Sequence, residues 1–176
     1  GHRFNHKRFY RLYCRMGLNL PRRAKRKLPQ RVPKPLEVKA AVNSQWALDF
    51  MHDTLYCGKR FRTLNVIDEG TRECLAIEVD TSLPAERVIR VLEQLKEQRG
   101  LPEQIRLDNG PELISDAFAT WCEDNDIDLA YIEKGKPQQS VFAECFNGSM
   151  RREFLGAYLF DSLSQVREMA WVWRLD

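Results

Sequence analysis

The spacing of apolar residues changes character once along this chain, and that change restricts which elements can be neighbours. Residues 45–79 hold three strand-like runs in succession with only tight turns between them. Beyond residue 84, each strand-like run is parted from the next by a helical stripe. The first run, residues 45–55, is apolar on both faces, as a central strand must be. Cys57-Gly58-Lys59 reads as a hairpin turn, and Arg62–Asp68 and Glu73–Val79 follow as strands rich in Val, Ile and Leu. Residues 84–99 carry Val88, Val91, Leu92 and Leu95 on one stripe, ended by Gly100, which predicts an amphipathic helix. Next come a strand (Gln104–Leu107), a helix (Leu113–Asp124, with Phe118, Trp121 and Cys122 inward) and a strand (Asp128–Ile132). A polar loop (Gly135–Ser140), a helix (Val141–Leu155) and a last helix (Leu163–Leu175) complete the order β-β-β-α-β-α-β-α-α. Strands joined by tight turns pair antiparallel, and strands joined through helices pair parallel. The expectation is an α/β fold: a mixed five-stranded sheet, three antiparallel strands and then parallel ones, flanked by helices.

Ahead of this globule lies a segment of different chemistry. The net charge of +3 divides into +12 over residues 1–39, with 13 Lys and Arg and one acid, and −9 over residues 40–176. Residues 4–16 read as a short helix with Phe9, Leu12, Tyr13 and Met16 at helical spacing and Gly17 as its C-cap; Tyr10 and Tyr13 are expected to pack the helix. Residues 21–39 mix four prolines with Lys and Arg and read as an extended basic linker. The expected organisation is a short helical segment at 1–20, a basic linker at 21–41 and a globular core at 42–176. A basic arm before an acidic globule is an electrostatic footprint for nucleic acid. Its best phosphate candidates are Arg11, Arg15, Arg22, Arg23, Lys25, Arg26 and Lys27, and the plain alternative is a solubilising or targeting tail. The five cysteines are scattered without Cys-x-x-Cys spacing, and the three histidines are dispersed, so no zinc or thiol-redox site is expected. No apolar run reaches the length of a membrane span and no secretory pattern opens the chain; the expectation is a cytoplasmic protein without membrane contact.

Three carboxylates carry the chemistry. Asp49 lies in Gln45-Trp46-Ala47-Leu48-Asp49-Phe50, and Asp108 ends the run Ile105-Arg106-Leu107-Asp108 before Asn109-Gly110. Burying a carboxylate in an apolar strand is costly unless something compensates it, and a metal ion is the usual compensation. In the expected topology the first and fourth strands are neighbours, which sets Asp49 beside Asp108. Glu144 follows Asp108 after 35 intervening residues, early in the Val141–Leu155 helix. At 100° per residue, Gly148 and Arg151 share its face, leaving Phe142 and Phe146 for the core. Singly, each acid has an ordinary explanation, as a turn aspartate or a glutamate serving the helix dipole. Asp53, Asp68, Glu112 and Asp116 compete by proximity in sequence; Asp68-Glu69-Gly70 reads as a turn, and His52 reads equally as a neighbour of the site or a strand-end packing residue.

Taken together, the stretches "NHKRFYRLYCRMGLNL", "WALDFMHD", "LNVIDEGTRECLAIEVD", "IRLDNGPE", "GKPQQS" and "AECFNGSMRREFL" resemble insertion-sequence transposases of the IS-three family, second reading frame, with a retroviral-integrase-like core. The resemblance runs from about Asn5 to Phe160. It implies a ribonuclease-H-like sheet in which Asp49, Asp108 and Glu144 are the catalytic metal ligands. They would hold two Mg²⁺, with Mn²⁺ able to substitute, for phosphodiester cleavage and strand transfer. It further implies DNA ends and target DNA as partners, a homo-multimer on DNA, and a partner reading-frame product supplying a helix-turn-helix. Lys134, Lys136, Gln138, Arg151 and Arg152 become DNA-facing candidates. Two positions depart from the family strings: Cys145 replaces the usual arginine, and Ser140 a common asparagine. The family also continues past this chain's last helix. These departures favour a second expectation, a truncated DNA-binding remnant with little or no catalysis. A carboxylate-pair glycosidase fits poorly, because such an enzyme has no use for a basic arm.

Overall fold

The computed structural model describes residues 5–18, 41–108, 110, 113–132 and 140–175. The chain divides into two units, Gly1–Lys34 and Pro35–Asp176. In the first, helix α1 spans His6–Arg15 and is capped by Asn5, whose side chain accepts from the Lys7 amide. Gly17 takes φ +66, and its amide and that of Leu18 close on the carbonyls of Cys14 and Tyr13. That left-handed turn is the C-terminal cap expected of a glycine there. The apolar stripe of α1 is not packed as its spacing suggests: Phe9, Tyr10, Leu12, Tyr13 and Met16 are all exposed. A helix of ten residues has no core of its own to bury them in.

The second unit is built on a five-stranded sheet of order β3-β2-β1-β4-β5. Strand β1 is Gln45–Thr54, β2 Arg60–Asp68, β3 Cys74–Asp80, β4 Gln104–Leu107 and β5 Asp128–Tyr131. β1 pairs antiparallel with β2 and parallel with β4, β2 pairs antiparallel with β3, and β4 pairs parallel with β5. The mixed sheet expected from the order of elements is therefore the one observed. Helices α2 (Ala85–Arg99) and α3 (Asp116–Asp124) cover one face. Val88, Val91, Leu92 and Leu95 of α2 join Trp46, Leu48, Leu64, Ile105, Leu107 and Phe118 in that core. α4 (Val141–Ser149) and α5 (Leu163–Leu175) belong to the other side, where Met51, Phe61, Val79, Phe154, Phe160 and Val166 make a second core. β1 is thus buried on both faces, as its continuous apolar run requires.

Two boundaries differ from the expected ones by three residues or more. The helix predicted from Leu113 begins at Asp116, where Ser115 caps it by accepting from the Phe118 amide. The helix predicted over Val141–Leu155 is α-helical only to Ser149 and continues as a π-helical turn, Met150–Leu155. The Gly156 amide donates to Arg151 O, five residues back. On an α-helix, Leu155 would lie about 140° round from Met150. The wider turn lets Met150, Phe154 and Leu155 all be buried. Phe154 meets the rings of Phe160 at 5.2 Å and Trp173 at 6.0 Å. Phe154→Ala is expected to cost about 3–5 kcal/mol in urea unfolding, the price of an aromatic removed from a packed core.

β3 is the sheet edge on one side, and α5 guards it. Arg167 Nε donates to Val79 O at 2.9 Å and its Nη2 to Asp80 at 3.0 Å, while Arg174 Nη1 donates to Leu75 O. Edge carbonyls so occupied are closed to pairing with another strand.

Candidate active site

The side chains of β1 alternate strictly. Trp46, Leu48 and Phe50 face α2 and α3, whereas Ala47, Asp49 and Met51 face α4 and the π-helical turn. Two residues of strand advance about 6.7 Å and four residues of helix advance 6.0 Å, so α4 can run alongside β1 nearly in step. Ala143 packs on Ala47 and Asn147 reaches Asp49 in this step, while the longer Arg151 side chain extends to Asp53, further along the strand. This ladder carries Glu144, one residue beyond the buried Ala143, to the flank of the site.

Asp49 pairs across to Asn65 on β2. On its other side, Leu48 is level with Leu107 of β4, which places Asp108 next to Asp49 just past the strand's end. Ile105 and Leu107 point into the α2/α3 core, so strand alternation turns Asp108 toward the face that Asp49 occupies. Asp108 Oδ1 accepts from the Gly110 amide at 2.9 Å, tying the carboxylate to the turn that follows it. Asp49 is half-buried, and Asp108 and Glu144 are exposed.

The three acids also act on one another through their charges. Burial pushes the Asp49 carboxyl above its ordinary value, and the negative charges of Asp108 and Glu144 push the same way; hydrogen bonds from the Phe50 amide and Asn147 pull against them. Asp49 Oδ1 accepts from Phe50 N at 2.8 Å and Oδ2 from Asn147 Nδ2 at 2.7 Å. Each oxygen therefore keeps a lone pair. A half-buried carboxylate repelled by two further carboxylates, with hard oxygen donors only, suits a divalent cation such as magnesium. As placed, they do not form a closed cage: among the described residues, no three His, Cys, Asp or Glu groups stand together ready to hold a metal.

The other candidates separate clearly. Asp68 is not a simple turn residue: it is fully buried opposite Trp46, accepting from the Asn43, Gly70 and Thr71 amides and pairing with Arg99 at 3.4 Å. Glu69 is buried beside it and pairs with Arg106 at 2.9 Å. Both belong to the opposite end of β1 from the site. His52 falls on the opposite face of β1 from Asp49 by alternation, so it is not a neighbour of the carboxylates. Asp116 opens α3, where an acid suits the helix N-terminus. Phe142 does not reach the core; it is half-buried beneath the guanidinium of Arg72, 5.1 Å from its ring centre. Arg151 donates from Nη1 to Asp53 and from Nη2 to His52 O, both at 2.7 Å. Arg152 is exposed and donates to Ser149, and Arg11 and Arg15 are exposed on α1. Cys145 is exposed on α4, and Ser140 caps that helix without a side-chain hydrogen bond. Arg22, Arg23, Lys25, Arg26, Lys27, Lys134, Lys136, Gln138 and Glu112 lie outside the described residues. Asn147 and Asn65 were missed by spacing alone; the signal available was Asn147 in the Glu-x-Phe-Asn string. One cleft lies elsewhere, between β3, α2 and α5. An open face, not that cleft, carries the carboxylates, as a polymer backbone would require.

Mixed sheet, strand carboxylates side by side and a third carboxylate on a helix tied across them define a ribonuclease-H-like core. Residues 39–137 match the family described as Integrase core domain, and residues 125–176 match a second family of the same description. The chain belongs to the integrase core domain family, and the expected kinship with insertion-sequence proteins is borne out. It is 39% identical over 170 residues to an uncharacterized insertion element IS476 protein of Xanthomonas euvesicatoria, covering 97% of this chain and 49% of that protein. It is 38% identical over 172 residues to an uncharacterized insertion element IS407 protein of Burkholderia multivorans, covering 98% of this chain and 62% of that protein. The chain thus spans about half to three-fifths of the length of these relatives. In fold, it resembles a simian T-cell lymphotropic virus intasome chain at TM-score 0.68 and 17% identity, covering 82% of this chain and 52% of that one. It also resembles the HTLV-2 integrase catalytic core domain in complex with magnesium, at TM-score 0.59 and 21% identity, covering 73% and 82%. Among the described residues no helix is long and apolar enough to cross a membrane.

Proposed function

We propose that this chain is the catalytic core of a DNA transposase, cutting phosphodiester bonds at element ends and joining them to target DNA. The observation that carries this reading is the position of Asp49 and Asp108, side by side on one sheet face, with α4 bonded to Asp49 so that Glu144 flanks the pair. Asp49, Asp108 and Glu144 would hold magnesium, two ions by family resemblance, with manganese able to substitute. Bound there, the metal would activate the attacking oxygen and offset charge on the leaving one. Asp49, held at both oxygens, supplies the rigid side of the site. Asp108 and Glu144 are exposed and would complete the site once a divalent cation offsets the three negative charges. The HTLV-2 core bound to magnesium and the viral intasome support the metal and a multimer on DNA as expectations for this chain.

The basic segment at 1–41, with Arg11, Arg15, Arg22, Arg23, Lys25, Arg26 and Lys27, would track phosphates beside the core at 42–176. Lys134, Lys136, Gln138 and Arg152 would meet DNA near Glu144, and a partner reading-frame product would add end recognition. We place the protein with DNA in the cytoplasm, at the nucleoid.

The test is nicking and strand transfer on element-end DNA with Mg²⁺ or Mn²⁺. The open arrangement of Asp108 and Glu144 and the uncharged Cys145 favour a second reading, a DNA-binding core of weak or no catalysis. Binding without turnover in the same assay would select it. Arg151 divides between two roles, because its ion pair with Asp53 at 2.7 Å already employs it. Arg151→Ala is expected to lower unfolding stability by about 0.5–1 kcal/mol, the usual worth of a half-exposed pair. The salt dependence of DNA binding should stay unchanged; a phosphate contact would instead reduce the log-log slope by about one.

A further inference from the structure

Asn65 is fully buried in the middle of β2, directly across from Asp49. Its Nδ2 donates to Asn147 Oδ1 at 2.7 Å, and Asn147 Nδ2 donates to Asp49 Oδ2 at 2.7 Å. Its own Oδ1 is buried without a partner among the described residues. The polarity of this chain of amides is dictated from one end. An ionised carboxylate only accepts, so Asn147 must turn its NH₂ toward Asp49 and its carbonyl toward Asn65. Asn65 must then answer with its NH₂, which strands its carbonyl in the core. An apolar side chain would avoid that cost, since Ile67, two residues on, packs against Ala47 and Ala143 on the same face. The polar choice at position 65 is unfavourable for the fold alone.

We infer that Asn65 is a positioning residue for the reaction, acting on Asp49 through Asn147. The relay locks the Asn147 amide in one orientation and with it the Asp49 rotamer. It also ties α4, and so Glu144, to the strand-borne pair before metal binds. Groups that hold ligands in place in this way typically change metal affinity 10–100-fold when removed. This inference rests on the carboxylate site proposed above.

The test measures Mn²⁺ binding to the purified chain by the free-ion electron paramagnetic resonance signal, alongside urea unfolding in metal-free buffer, for the wild type, Asn65→Val, Asn147→Ala and Asp108→Asn. The expected result is that Asn65→Val unfolds at or above the wild-type midpoint yet binds Mn²⁺ about tenfold more weakly. Asn147→Ala, on the half-buried side of a helix, should weaken binding at least as much and carries the test if the valine is not accommodated. Wild-type affinity in both folded asparagine variants, with weakened binding in Asp108→Asn, would overturn the relay and leave the carboxylate site standing. Equal binding by wild type and Asp108→Asn would remove the carboxylate site itself, and the relay with it.

Discussion

Asp108→Asn is expected to abolish metal-dependent nicking and strand transfer while leaving the protein folded. The side chain is exposed, just beyond β4, and its hydrogen bond from the Gly110 amide can be accepted equally by an asparagine oxygen. Nothing in the core depends on its charge. What is lost is one of three anionic donors to a divalent cation. Metal stabilisation of transition-state charge is worth several kcal/mol, so a loss of about 4 kcal/mol, or a thousandfold in rate, is the least expected. Turnover should be compared under saturating DNA with Mg²⁺ and with Mn²⁺, and DNA affinity measured separately. Unchanged DNA binding with lost turnover assigns Asp108 to the chemistry. Retained turnover in both metals would remove it from the site.

The second large effect concerns Asp49, where activity and stability should move in opposite directions. Its carboxyl titrates above the ordinary 3.8, chiefly through burial and then through repulsion by Asp108 and Glu144. The folded state therefore holds the proton more tightly than the unfolded chain does. That contribution to stability is fully present below the unfolded-state pKa and is lost as pH rises through the raised folded-state value. Above that raised value, the metal-free protein carries an ionised, half-buried Asp49. Asp49→Asn removes that burden, so the metal-free variant should melt above the wild type at neutral pH, with the gap closing toward acid. Activity should fall at least about a thousandfold, as for Asp108. Divalent metal should reverse the order by stabilising only the wild type, by about 2.7 kcal/mol at a hundredfold excess over Kd. Melting curves across pH, with and without Mg²⁺, read the stability effects, and the nicking assay reads the activity. A variant that melts below the wild type in metal-free neutral buffer would contradict the electrostatic account.

What could be read from residues alone follows the range of the forces involved. Strand and helix identities are local, and β1, α2, β4 and α5 fall close to where their apolar spacing puts them. The pairing of β1 with β4 follows from the order of elements, which is why Asp49 and Asp108 could be brought together in advance. Contacts between residues far apart in sequence left no such trace. The bond from Asn147 to Asp49 spans 98 residues and that from Asn65 to Asn147 spans 82. Neither asparagine differs in periodicity from a surface residue. The ion pair of Arg151 with Asp53, 98 residues away on another element, was likewise invisible in the sequence. The turn at Asp68-Glu69-Gly70 was legible from its residues, but the burial of Asp68 against Arg99, 31 residues on, was not. The stripe of α1 shows the reverse failure, since helical spacing of apolar residues says nothing of whether a surface exists to receive them. The π-helical turn at Met150 depends on which residues the core demands, information held by Phe160 and Trp173 and not by the turn itself.

The most direct measurement is a crystal structure of the chain soaked in Mn²⁺, with anomalous density locating the ions. The expected result is manganese against Asp49 with Asp108 and Glu144 swung in to share it, the Asn147 amide still on Asp49 Oδ2. Manganese bound elsewhere, or density absent from Asp49 while Asp108 and Glu144 remain turned to solvent, would contradict a metal-dependent nuclease and strand-transfer site in this fold.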